Sequence, residues 1–321
     1  MDEFEFIRDV LSPLAGEGAF GLTDDAAVLH AGAGGLVVTA DMLVEGRHFT
    51  PSCPPDTVAK KALRTNLSDL AAKGARPVCY MLSIAWPAAR DIAWRTAFVG
   101  GLQEDQAQYG VTLLGGDTTA TDGPLTVSIT AFGAPGLRGM IRRDGARLGH
   151  AVYVTGEIGA AGLGLRILQA ETPPPGVDSA ALIAAYRTPE PAVAFAAAIA
   201  EYAAAAIDVS DGVLADAAHV ARNSGVLLEI ELERLPLDAA TRGWLDAQAD
   251  RDAALTALAT SGDDYQILFS ANETDEDALM QAARRTGVRL TRIGRAAAGQ
   301  GLRILAARGP VQPDRLGFTH F

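Results

Sequence analysis

Aspartates recur at the ends of short apolar segments in this chain, often beside glycine, and that placement restricts the folds open to it. Asp24 and Asp25 follow Gly21-Leu22-Thr23, Asp41 closes Leu36-Val37-Val38-Thr39-Ala40, and Asp117 follows Leu113-Leu114-Gly115-Gly116. Asp208 and Asp211 flank Val209-Ser210 and precede Gly212, while Asp69 interrupts an otherwise apolar helical stretch. In α/β folds strand ends open onto the crevice where ligands bind. Adjacent glycines let a ligand approach the backbone closely. Taken singly, Asp24 or Asp211 reads first as a cap or turn residue, and Asp69 as a solvated side chain. As a set, Asp25, Asp41, Asp69, Asp117, Asp208 and Asp211 adjoin semi-buried elements, and their convergence would be prohibitive without cations. Mg²⁺ takes oxygen ligands, keeps several waters and bridges carboxylates to nucleotide phosphates. A chain with a net charge of −12 can thereby hold a polyanion such as ATP.

The apolar periodicity supplies the scaffold. Phe4, Ile7, Val10, Leu11 and Leu14 recur at helical spacing, and helices are expected over 57–73, 91–108, 161–170, 190–205 and from 213 to Ser224. Strands are expected over 36–40, 78–85, 111–114, 125–132, 151–155, 226–232, 264–270 and 288–293. The Gly-, Pro- and Arg-rich stretch 133–150 marks a boundary, giving an N-terminal domain over 1–137 and a C-terminal domain over 138–321. Both interleave strands and helices, so the fold class is α/β (α+β) in two domains.

Several functions are disfavoured. The acidic balance lacks the footprint of a nucleic-acid binder. Apolar runs stop well short of the roughly 18 residues of a membrane span. Met1-Asp2-Glu3-Phe4-Glu5 has no signal-peptide character, and Cys53 and Cys79 form neither a disulfide framework nor a metal spacing, so a cytoplasmic protein is expected. Walker A, protein-kinase and Gly-x-Ser-x-Gly motifs are missing. The turn Gly156-Glu157-Ile158-Gly159-Ala160-Ala161-Gly162 has the wrong spacing for a dinucleotide fingerprint and reads as a strand-to-helix turn.

The motifs in order resemble thiamine-monophosphate kinase, of the ATP-binding superfamily that includes aminoimidazole ribonucleotide synthetase. They are Asp24-Asp25-Ala26-Ala27-Val28, Asp41 to Phe49, Asn66-Leu67-Ser68-Asp69-Leu70, Gly115-Gly116-Asp117-Thr118-Thr119, Ile207 to Gly212, Ser261-Gly262-Asp263-Asp264-Tyr265 and Gly317 to Phe321. The resemblance implies ATP-dependent conversion of thiamine monophosphate to thiamine diphosphate in a homodimer whose first-domain sheets pair. It implies Mg²⁺ ligands at Asp25, Thr39, Asp41, Asp69, Asp117, Asp208 and Asp211. It further implies ATP contacts at Gly116, Asp117, Arg143 and Ser210, and acceptor contacts at His48, Asp263 and Phe318. The acceptor phosphate is already ionised, so no side chain is assigned as nucleophile or base; positioning and charge neutralisation suffice. Departures from the family pattern are Asp263 for Glu, Ser261 for Gly, Ala40 for a hydroxyl residue, and Lys73 for Met, the last read as a surface change. The homodimer is also expected because strand 125–132 has edges that one small domain is not expected to cover. The alternatives are another enzyme of the superfamily, which the absence of a terminal cysteine after Thr319-His320-Phe321 restricts, and a non-catalytic nucleotide-binding protein.

Overall fold

The computed structural model describes residues 7–16 and 35–318, so Asp24, Asp25, the start of the first expected helix and Thr319-His320-Phe321 lie outside the described residues. The chain forms two compact units, one of residues 1–70 with 75–135 and one of 71–74 with 136–321.

The first unit is a four-stranded sheet carrying two helices. Its strands are β1 (Val37–Val44), β2 (Ala75–Pro87), β3 (Thr112–Thr121) and β4 (Thr126–Pro135), in the order β1-β4-β2-β3. β2 and β3 run parallel, joined by helix α2 (Ile92–Tyr109), as a crossover requires. Asp91 caps α2 by accepting from the Trp94 N–H at 2.8 Å, and Gly110 ends it at φ 66°. Helix α1 (Pro55–Ala72) is buried from Lys61 to Leu70 on every side, save at Asp69. Such all-round burial demands partners for its polar residues. Arg64 meets them through a two-pronged ion pair with Asp105 of α2, at 2.8 Å for each prong.

Three expectations change here. β1 and β3 do not stop at their acids: both strands run through Asp41 and Asp117, which are mid-strand residues. Strand 126–135 is interior, bonded to β1 on one side and β2 on the other, so its edges need no second copy. The edges are β1 and β3, with Ala15 bridging to Leu113 at the start of β3. Residues 7–14 form a short π-helical turn followed by a 3₁₀ turn, where a regular helix was expected.

The second unit is a three-layer arrangement around a seven-stranded sheet, ordered β11-β10-β7-β9-β5-β8-β6. The strands are β5 (His150–Thr155), β6 (Ala205–Val209), β7 (Leu227–Glu231), β8 (Gln266–Asn272), β9 (Leu290–Ala297), β10 (Gly301–Ala306) and β11 (Gly309–Val311). β5 is buried at all six positions, because Val152 and Val154 face one core and Ala151 and Tyr153 the other. The first core packs α3 (Ala160–Leu168), α4 (Ser179–Arg187), α6 (Val213–Ser224), α7 (Ala239–Asp246) and α8 (Arg251–Ala259) on the sheet. The second packs α5 (Ala196–Tyr202) and α9 (Glu276–Thr286) on the opposite face. The alanine-dense helix expected to 205 ends at Tyr202, because Ala205 and Ala206 are already in β6. Lys73 is half-buried, and its ammonium donates to the Ala206 carbonyl at 2.8 Å. It ties down the edge strand β6 and is not the surface change expected. No helix among the described residues is long and apolar enough to cross a membrane.

Candidate active site

In the first unit, β1 and α1 bring three expected ligands together. Thr39 and Asp41, two residues apart, share the face of β1 turned to α1. The Thr39 hydroxyl donates to Asp69 Oδ2 at 2.5 Å. One turn earlier on α1, Asn66 accepts the Asp41 backbone N–H at 3.1 Å through Oδ1 and donates to the Ala62 carbonyl at 3.0 Å. The amide thus fixes the height of Asp41 on the helix. Burial, and secondarily the Asp69 charge, push the Asp41 carboxyl up to about 7. The result is a nook lined by oxygen donors, in which two carboxylates repel each other and one is desolvated.

Asp117 is not brought to this nook within one chain. Sheet register aligns Asp41 with Ile129, Leu82 and Gly116, and the next row aligns Met42 with Ser128, Ser83 and Asp117. The following residue, Thr118, accepts from the indole of buried Trp86 at 2.9 Å, which packs against Trp94 and Phe98 of α2. Thr118 therefore faces the helices, and Asp117 leaves by the outer face. Asp117 also lies on the opposite edge strand from Asp41, three strand spacings or roughly 14 Å away. Gly116 has φ 153°, and a Cβ there would sit 1.7 Å from the Leu82 carbonyl oxygen, so only glycine fits. His48 lies in the turn after β1, where its Nδ1 accepts the Val44 N–H at 3.0 Å and Phe49 is buried beside it.

In the second unit, the remaining expected residues gather on the β6–α6 junction. Asp208 is buried near the end of β6, and Ser210, Asp211 and Gly212 form the turn into α6. The Ser210 carbonyl accepts the Asp263 N–H at 2.9 Å, and the Val209 carbonyl accepts the Tyr265 N–H at 2.8 Å. The Asp211 carbonyl accepts the Phe318 N–H at 3.0 Å. Asp263 and Tyr265 take left-handed backbone, with φ 70° and 49°. Such conformations cost free energy and persist where surrounding structure holds them. The hold comes from Asp264 between them, buried, with both carboxylate oxygens accepting the Gly159 N–H at the start of α3, at 3.0 and 2.9 Å. Burial drives the Asp264 carboxyl well above its ordinary value, against the pull of the Gly159 and Ala161 N–H groups. The Tyr265 hydroxyl donates to Asp263 Oδ1 at 3.2 Å and orients that carboxylate. Phe318 is 46% exposed. Arg143 is exposed, its carbonyl accepting from Ser224 Oγ at 3.3 Å, and its charge reaches His219 of α6.

Four residues with evident roles around these groups were not among the expected site residues: Asn66, Asp216, Asp264 and Tyr265. Asn66, Asp264 and Tyr265 stand inside motifs already singled out, and Asp216 follows Asp211 by little more than one helical turn. Asp216, in the first turn of α6, is buried and accepts the Asp211 N–H at 3.2 Å. Burial and the Asp211 charge push its carboxyl up to about 7, while the Asp211, Gly212 and Ser210 N–H groups pull it down. Among the described residues no three His, Cys, Asp or Glu side chains form a ready metal cage.

The aminoimidazole-ribonucleotide-synthetase-related families match both units: the AIR synthase related protein N-terminal domain over residues 23–134 and the C-terminal domain over 147–306. The chain is 43% identical over 321 residues to the thiamine-monophosphate kinase of Caulobacter vibrioides, covering 99% of this chain and 90% of that one. The crystal structure of thiamine-monophosphate kinase from Stenotrophomonas maltophilia superposes with a TM-score of 0.84 at 38% identity, covering 95% of this chain and 96% of that one. AaThiL complexed with AMPPCP and TMP superposes with a TM-score of 0.77 at 29% identity, covering 99% and 97%.

Proposed function

The chain belongs to the thiamine-monophosphate kinase family, and on that premise we propose that it phosphorylates thiamine monophosphate from ATP, giving thiamine diphosphate and ADP. A terminal phosphate oxygen of the acceptor bonds to the γ-phosphorus of ATP, and the bond from that phosphorus to the β-bridging oxygen breaks. The observation that carries this reading is the nook of Thr39, Asp41 and Asp69, whose donors are all oxygen and whose two carboxyls are close enough that Asp69 helps raise Asp41. That donor set fits a hard divalent cation. A relative that holds AMPPCP together with TMP supports the two ligands.

In the first unit Thr39, Asp41 and Asp69 would hold Mg²⁺, with Asp25 from outside the described residues; in the second unit the expected ligands are Asp208 and Asp211. Bound Mg²⁺ supplies charge neutralisation between two polyanions. The chain's own residues bind and orient. Ser210, Gly116 and Arg143 contact the nucleotide. His48 and Asp263 contact the acceptor, and the Phe318 ring offers a face to the thiazolium cation. Tyr265 keeps the Asp263 carboxylate aimed, which compensates for a side chain one methylene shorter than the family's Glu. No proton needs removing from the acceptor, so no general base is assigned.

A homodimer supplies the place of Asp117. The outer face of the first unit's sheet exposes Val38 at 54%, Met42 at 56% and Met81 at 39%, the same face by which Asp117 leaves, and Met42 shares its row. Exposed apolar area of this kind marks a contact surface. A second copy joined β1 edge to β3 edge would set the strand that carries Asp117 next to the partner's β1 and leave no open strand edge.

ATP consumption measured in parallel with thiamine monophosphate, thiamine and an aminoimidazole precursor tests the activity. Turnover with thiamine monophosphate alone supports it, and turnover only with the aminoimidazole precursor reassigns the chain within the superfamily. Mixing Asp41→Asn and Asp117→Asn chains tests the shared site. Mixed dimers regain one intact site if Asp117 acts across the interface, and stay inactive if both acids serve within one chain.

A further inference from the structure

The Val209–Gly212 turn is bonded on every side. Asp263 and Tyr265 donate to the Ser210 and Val209 carbonyls, and Phe318 donates to the Asp211 carbonyl. The acceptor-side residues are therefore mounted on the backbone of the turn that presents the nucleotide-side residues Ser210 and Asp211. Packing reinforces the mounting. A Cβ at Gly262 would lie 2.4 Å from the Ser210 carbonyl oxygen, and one at Gly317 would lie 2.4 Å from the Asp211 carbonyl oxygen. These segments approach the turn as closely as glycine permits.

The N–H groups of the same turn point the other way. The Asp211 N–H donates at 3.2 Å to the carboxylate of Asp216, which is 2% exposed. A buried carboxylate that accepts a backbone N–H inside the turn holds that peptide in place before any phosphate arrives. Asp216 is one helical turn along α6, and α6 is anchored in the core through Val213, Leu214, Ala217 and Val220.

We propose that Asp216 is the positioning residue for both substrates: it locks the turn on which the nucleotide side and the acceptor side are both built, and thereby couples their binding. This rests on the kinase reading above. Neither ligand touches Asp216. Its carboxylate fixes the Ser210 carbonyl by holding the Asp211 N–H of the same peptide, and the carbonyls of this turn place Asp263, Tyr265 and Phe318. A shift of the turn must move both subsites, and filling one subsite must steady the other.

The test compares Asp216→Ala, Asp216→Asn and Gly317→Ala with the unmodified chain. Thermal unfolding, KM for ATP, KM for thiamine monophosphate, and calorimetric binding of thiamine monophosphate with and without Mg²⁺ and a non-hydrolysable ATP analogue are measured. Hydrogen bonds from a charged group suggest a loss of about tenfold or more in each affinity for Asp216→Ala. Asp216→Asn keeps one acceptor oxygen and should recover part of both losses. Gly317→Ala pushes on the Asp211 carbonyl and on the Ala215 side chain from the acceptor side, leaving the Asp216 carboxylate itself in place, and should weaken the nucleotide as well as the acceptor. In the unmodified chain the analogue should tighten thiamine monophosphate binding, and in Asp216→Ala that gain should shrink. The proposal fails if folded Asp216→Ala binds both ligands normally, if only one ligand is affected, or if Gly317→Ala leaves the nucleotide untouched. Should both Asp216 variants fail to fold, the Gly317→Ala result alone decides. An unmodified chain that does not turn over thiamine monophosphate overturns the kinase reading and this proposal with it, whereas normal turnover with unaltered variants overturns only the proposal.

Discussion

Removing the Asp105 carboxylate should unfold the first unit more readily than any loss of its exposed ion pairs, because the charge left behind on Arg64 is buried. Arg64 and Asp105 are 6% and 0% exposed, and both prongs of the pair measure 2.8 Å. Arg64 also bonds Gln108 Oε1 at 3.3 Å and lies over the Tyr109 ring at 5.5 Å. Burial raises the Asp105 carboxyl above its ordinary range even though Arg64 pulls it down, so desolvation outweighs the attraction. Breaking a buried pair by removing one partner typically costs about 3–5 kcal/mol. At roughly 3–4 °C per kcal/mol for a unit of this size, Asp105→Ala should lower Tm by about 10–20 °C. Replacing both partners with apolar residues, Arg64→Met with Asp105→Leu, should return stability to within about 1 kcal/mol of the original or exceed it. Urea titration of the two single variants and the double variant forms the cycle. Since α1 carries Asn66 and Asp69 just beyond Arg64, turnover per folded molecule should also recover in the double variant. A double variant as destabilised as the two singles added together would refute the desolvation argument. Single variants within about 1 kcal/mol of the original would refute the burial of the pair.

Asp69→Asn should nearly abolish phosphoryl transfer while the chain stays folded, because the amide is a poor Mg²⁺ ligand; near-normal turnover at saturating Mg²⁺ would remove Asp69 from the essential set. Gly116→Ala should destabilise the first unit by about 2–4 kcal/mol, from the clash with Leu82 and the φ it must adopt, and a urea midpoint equal to that of the original would refute the close approach. Asp264 supplies a pH prediction. Its folded carboxyl titrates above the ordinary 3.8, so between that value and the folded one the native state holds a proton the unfolded chain has lost. Stability from this group is therefore present at low pH and lost as pH rises. Asp264→Asn, isosteric with the protonated acid, should gain in Tm relative to the original chain as pH rises above about 4. A Tm difference that does not change with pH would dismiss the raised carboxyl.

Much of the fold was legible because periodicity survives in the sequence where burial is one-sided or complete. The all-apolar strand at 151–155 and the helix stopped at Gly74 declared themselves. The misreadings have local causes. β1 and β3 were cut short because Asp41 and Asp117 looked like terminators, whereas the Asp41 backbone N–H is taken by Asn66 of α1 and Asp117 faces outward. The helix expected to 205 ran on too far because alanine reports helix propensity and not depth; at Ala205 and Ala206 the sheet decides. β10 and β11 went unseen, since glycine, arginine and proline dilute their alternation. Lys73 looked like a surface residue because its partner, a backbone carbonyl, leaves no trace in composition.

The site was legible as a set of residue types and not as a geometry, and strand parity explains the difference. Thr39 and Asp41 are two apart, so a strand running through both must put them on one face, and Val37 and Leu43 in the same parity bury that face. In β3 the parity around Asp117 runs the other way: Thr118 is held inward by Trp86, which leaves Asp117 outward. Once both strands are known to continue through their acids, the two carboxylates cannot meet on one ion within a single sheet. The same reasoning separates Asp208 from Asp211, since the first belongs to a strand and the second to a turn whose Asp211 N–H Asp216 has taken. The aspartates that looked alike in sequence therefore stand in three different settings. Asp41 and Asp69 lie together beside the Thr39 hydroxyl, Asp117 leaves by the outer face of its sheet, and Asp211 sits in a turn whose carbonyls hold Asp263, Tyr265 and Phe318. Complementation between Asp41→Asn and Asp117→Asn chains distinguishes the first two. The joint loss of both affinities in Asp216→Ala identifies the third.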